Sequence, residues 1–135
     1  TAEIIKVHQY LVTAASTISQ KAAVRALVEG LYDADVMKEE YRQRRDFVYG
    51  EMTQMGFTVA KPSGAFYIFA KIPEGFSQDS MAFCIDLAEK NKLAVIPGIA
   101  FGPEAEGYVR ISYAAGMETL QEAMKRLSDY LNHQQ

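Results

Sequence analysis

The hydrophobic positions of this chain change period along its length, and each change predicts an element. Between Met117 and Leu131, Leu120, Met124, Leu127 and Leu131 fall on one stripe at spacings of three and four, the signature of a helix with one buried face. From about Asp35 to Met55, Met37, Tyr41, Val48, Met52 and Met55 recur by threes, fours and sevens, which predicts a long helix with Gly56 as its C-terminal cap. FTVAK and AFYIFAKI then read as two strands around a turn at Pro62, Ser63 and Gly64. The second strand is apolar on both faces, as in a strand covered on both sides. Ser77 is expected to cap a helix reaching about Lys90, with Phe76 and Met81 as its hydrophobic staple and Asn91 at its end. LAVIPG and YVRISYA predict two more strands. At the start, IIKVHQYLV is apolar on more than one side, like a segment packed between other elements. A second short helix follows, capped by Ser16, Thr17 or Ser19 and closed by Gly30.

The order is helix, helix, long helix, strand, strand, helix, strand, strand, helix. Neighbouring strands with helices banked on one side make an α+β two-layer sandwich, a small antiparallel or mixed sheet with helices packed on one face. The sequence holds no internal repeat and no low-complexity segment.

Composition narrows the function classes. A chain of 135 residues with 49% apolar and 23% charged residues is that of an ordinary globular domain able to bury a core. A net charge of -3 offers no electrostatic footprint for nucleic acid. Cys84 is the single cysteine, so an internal disulfide and a multi-cysteine zinc site are excluded, and a reducing, cytoplasmic setting is expected. No apolar run approaches the roughly 20 residues that span a bilayer. The opening on Thr1 instead of Met fits a boundary left by processing or truncation.

Arg110 stands out among the candidate functional residues. In YVRISYA, Val109, Ile111 and Tyr113 share one face of the strand, while Tyr108, Arg110, Ser112 and Ala114 share the other. An arginine inside an otherwise apolar strand is costly unless an anion meets it, and its planar fork suits a carboxylate held by two parallel hydrogen bonds. Pairing with an internal Asp or Glu, or simple exposure at an edge, is the alternative. Arg42, Arg44 and Arg45 read either as an anion site or as a solvated face pairing with Glu39, Glu40 and Asp46, and the spacing favours the pairs. PGIAFG, from Pro97 to Gly102, lacks the Gly-Lys-Ser/Thr of a phosphate loop and reads as a plain connection. His8 and His133 have no ligand-spaced partners, Cys84 shares an inward stripe with Met81 and Ala88, and no Ser-His-Asp triad is apparent.

Three stretches, HQYLVTAASTISQKAAVRAL, PSGAFYIF and VIPGIAFGPEAEGYVRISYA, together resemble the C-terminal region of class I/II, fold-type I aminotransferases, in the branch of the aspartate and aromatic amino-acid enzymes. The resemblance covers essentially the whole chain. It implies that Arg110 binds the α-carboxylate of the substrate. It also implies that residues 1–30 end a large cofactor domain and that 31–135 form the C-terminal small domain with its long linking helix. The partners so implied are amino-acid and 2-oxo-acid substrates, aromatic or broad-range, an N-terminal large domain and a second copy in a homodimer.

The same resemblance implies pyridoxal phosphate as the cofactor of the full-length enzyme, held by a lysine in a Ser/Thr-Lys motif. None of Lys6, Lys21, Lys38, Lys61, Lys71, Lys90, Lys92 or Lys125 has that context, and the family's cofactor-ring partners and phosphate loop are not matched. No catalytic or cofactor-binding residue is therefore assigned, and the isolated chain is expected to be inactive and to bind no cofactor. The rival readings are a free-standing regulatory or small-molecule-binding α+β module and a purely structural or dimerising domain.

Overall fold

The computed structural model describes residues 1–133, so the end of the expected 31–135 segment, Gln134 and Gln135, lies outside the described residues. The chain divides into two compact units, Thr1–Lys38 and a second from Glu39 onward. The expected order of elements is the observed one.

The first unit contains α1 (Ala2–Val12), α2 (Thr17–Glu29) and the first turn and a half of α3 (Asp33–Gln54). Ser16 is the N-cap of α2, its side-chain oxygen accepting the Ser19 N–H at 3.2 Å, and Gly30 is the C-cap. Neither α1 nor α2 buries a residue, and Ile4, Tyr10, Leu11, Ile18 and Val28 are exposed.

The second unit is the two-layer α+β sandwich. Its sheet consists of β1 (Thr58–Val59), β2 (Tyr67–Lys71), β3 (Ile96–Pro97) and β4 (Tyr108–Ser112), in the order β1-β2-β4-β3. Every pairing is antiparallel, which decides between the antiparallel and mixed sheets that the sequence allowed. The two edge strands are only two residues long, shorter than the apolar runs around them. Short edges of this kind offer little template for unwanted pairing.

Alternation along β2 and β4 sends Ile68, Ala70, Val109 and Ile111 to the helical side, where Ile72 and Tyr113 join them. There they pack with Val48 and Met52 of α3, Phe83 and Leu87 of α4 (Ser80–Asn91), and Leu120, Met124 and Leu127 of α5 (Met117–Asn132). Each large side chain buried in this way contributes roughly 1.5–3 kcal/mol. The predicted stripe of α5 is buried in full and gains Tyr130.

Two local expectations are corrected. The N-cap of α4 is Asp79, whose carboxylate accepts the Ala82 N–H at 2.9 Å; Ser77 is not the cap. Residues before Asp79 belong to a turn instead, because Phe76 N–H bonds the Pro73 carbonyl and the Gln78 amide donates to the carbonyls of Pro73 and Phe76. The helix thus begins late, Met81 is left 46% exposed, and Phe76 packs edge-on against Phe83 instead of stapling to Met81. Cys84 is buried as expected, without Met81 beside it on the inward face. The helix ends at Asn91 as expected, and its C-cap Lys92 takes the left-handed conformation at φ 54°.

Candidate functional site

The sheet face turned away from the helices carries Tyr67 and Phe69 from β2 and Tyr108, Arg110 and Ser112 from β4. Register places Phe69 opposite Arg110 on one side, and Ile96 opposite it on the other. Arg110 is therefore on an inner strand, half-buried, and framed by apolar neighbours. Its guanidinium carbon lies 4.8 Å from the centre of the Phe101 ring and 5.3 Å from that of Tyr67. Among the described residues, none of the ion pairs engages Arg110. A cleft of about 330 Å³ touches Arg110 but runs past Val95 and Ile96 to Thr119 and Ala123 of α5, on the helical side of the sheet and away from the two rings.

Phe101 reaches this face from a pair of 3-10 turns, Gly98–Phe101 and Pro103–Ala105. The sequence PGIAFG builds them for steric reasons. A Cβ on buried Gly98 would overlap the Ala105 carbonyl oxygen and come within 2.7 Å of that of Tyr108, so only glycine fits. Gly102, at φ +116°, adopts a conformation that other residues rarely take. Fully buried Ser80 anchors the first turn: its hydroxyl accepts the Ile99 N–H at 3.1 Å, while its own N–H donates to Glu106 at 2.5 Å. The turn is thus closed on itself and presents a ring to Arg110. Sequence reasoning missed Tyr67 and Phe101, because no periodicity links a ring on one strand, a ring in a distant turn and an arginine on another strand.

The other arginines are already paired. Arg42 bonds Glu39 at 2.7 Å and 2.9 Å, Arg44 bonds Glu40 at 2.9 Å, and Arg45 bonds Asp46 at 2.8 Å. The Arg42 hydrogen bond holds the Glu39 carboxyl below the usual carboxylate range, and the hydrogen bond from Lys61 does the same for Asp46. The pairs are those the spacing indicated, but only Arg42 is solvated: Arg44 and Arg45 are mostly covered and also donate to the Ala114 and Pro62 carbonyls. His8 lies on exposed α1 and His133 follows α5, and among the described residues no cluster of His, Cys, Asp or Glu is able to hold a metal ion.

Comparison with known proteins identifies the context of this site. The family described as aminotransferase class I and II matches residues 3–127. The chain belongs to the class I and II aminotransferases. It is 49% identical, over 92% of its length, to a probable N-acetyl-LL-diaminopimelate aminotransferase of Bacillus subtilis, of which it covers 31%. It is 39% identical, over 96% of its length, to aromatic-amino-acid aminotransferase 2 of Thermococcus litoralis, covering 33% of that enzyme. The crystal structure of an aromatic aminotransferase from Pyrococcus horikoshii superposes with a TM-score of 0.85 at 40% identity, over 96% of this chain and 35% of that one. This aminotransferase chain thus spans about a third of the length of the relatives it matches.

Among the described residues, no helix of the aminotransferase chain is long and apolar enough to cross a membrane.

Proposed function

We propose that this chain is the substrate-carboxylate-binding part of a cytoplasmic, homodimeric enzyme that transfers an amino group between an amino acid, aromatic or broad-range, and a 2-oxo acid. The observation that carries the reading is Arg110: half-buried on an inner strand, with no ion pair among the described residues. A guanidinium in such a place calls for an anion, and a carboxylate matches its fork. Residues 1–30 are read as the end of the large domain and the chain from 31 onward as the small domain.

Pyridoxal phosphate is the cofactor implied for the complete enzyme, and the described residues of this chain do not make a site for it. Lys6, Lys61 and Lys90 are tied to Glu3, Asp46 and Asp86. The Pro97–Gly102 turn is filled by its own backbone and by Ser80, which leaves no cradle for a phosphate. We assign cofactor binding to parts of the enzyme outside this chain, and the isolated chain is inactive. The work of Arg110 is orientation: by fixing the carboxylate it fixes which bond at the α-carbon faces the reacting groups, and positioning of this kind is worth several kcal/mol.

Kinetics of Arg110→Lys in the complete enzyme test the assignment. Lysine keeps the charge and loses the paired geometry, so kcat/KM for the amino acid falls about tenfold to a thousandfold while an amine without the carboxylate is unaffected. Equal losses on both substrates would show that Arg110 only braces the fold.

A further inference from the structure

The two rings beside Arg110 are arranged as a holder. We propose that Tyr67 and Phe101 are positioning residues for substrate binding, fixing the Arg110 guanidinium between their ring faces so that its N–H fork is free and pre-oriented for a carboxylate; the inference rests on the carboxylate-binding reading of Arg110.

A cation over an aromatic face is attracted by the ring quadrupole, and the guanidinium carbon stands 4.8 Å and 5.3 Å from the two ring centres, inside the range of about 6 Å over which that attraction acts. Such a contact steadies the charge without a carboxylate from the protein, and among the described residues no ion pair takes up the donors of Arg110. A carboxylate partner from the protein would fix the side chain equally well, but it would occupy the donors and neutralise the charge that the substrate needs. The ring solution holds the cation while leaving it available.

The rings are themselves held. Phe69 meets Phe101 edge-on at 5.7 Å and stacks on Tyr108 at 5.3 Å. Phe66 meets Tyr67 edge-on at 5.8 Å. Phe69 also sits directly across the strand pair from Arg110. The Phe101 side is set by the glycine turn and by Ser80, which gives PGIAFG a task that its failure as a phosphate loop left open.

The test is kinetic and uses the complete enzyme. Phe101→Leu and Tyr67→Leu keep the apolar bulk and remove the π face. Each should raise KM for both the amino acid and the 2-oxo acid about two- to thirtyfold, the range that follows from the strength of one such contact, with a smaller change in kcat. Phe101→Tyr and Tyr67→Phe should restore KM to near the parent value, and turnover of an amine lacking the carboxylate should not move. Unchanged KM in both leucine variants overturns the proposal, as do equal losses on the amine. If Arg110→Lys is selective for the carboxylate while the ring variants are silent, only the holder fails; if Arg110→Lys is unselective, the carboxylate reading fails first. Circular dichroism checks each variant for folding. Should one leucine variant unfold, the other, on a separate element, decides, and loss of fold in both would make the rings structural braces and refute the inference.

Discussion

The hydroxyl of Ser80, with no exposed surface, accepts the N–H of Ile99 at 3.1 Å, and this bond joins the first turn of α4 to the turn that presents Phe101. It ties the buried start of a helix to the turn at Gly98–Phe101.

Removing that hydroxyl leaves a part-buried donor without its acceptor. Ser80→Ala should cost about 0.5–1.5 kcal/mol of stability, the usual net contribution of one hydrogen bond. Denaturant unfolding of the parent and variant chains measures this difference. A change below a few tenths of a kcal/mol would mean that the turn is held by its backbone alone.

Cys84 gives the chain an alkaline weakness. Burial pushes its thiol up from the ordinary range to about 11, because the thiolate is poorly solvated inside the core. The neutral thiol is favoured in the folded state, so its contribution to stability is complete below the unfolded value near 9 and is lost as pH rises toward 11. Cys84→Ala should flatten the stability profile over that window. At pH 8 the thiol should also react with a disulfide reagent only as fast as the chain opens. Rapid labelling of the folded chain would contradict the burial. Tyr113 and Tyr130, whose hydroxyls are likewise pushed up by burial, keep part of the alkaline slope in the variant.

Cofactor capture supplies a third test. After incubation with pyridoxal phosphate and dialysis, the 135-residue chain should keep no visible absorbance band and no borohydride-reducible adduct on a single lysine. A stable yellow complex tied to one of its eight lysines would overturn the assignment of cofactor binding to the rest of the enzyme.

The sequence by itself determined the elements and the two faces of the sheet. Helix α5 was legible because Leu120, Met124, Leu127 and Leu131 must share one side of a 3.6-residue period, and Arg110 was legible because β4 alternates. Both are local consequences of backbone geometry. Tertiary structure alone decided what surrounds Arg110. Tyr67 reaches it through the β2–β4 register and Phe101 through a turn that closes only when Gly98 packs against Ala105 and Tyr108 and Ser80 bonds Ile99. The start of α4 was decided in the same way, since Gln78 and Phe76 closing onto Pro73 withdrew Ser77 from the cap and left it to Asp79. Local periodicity carries no record of such contacts, because they depend on which distant backbone atoms arrive at the same point in space.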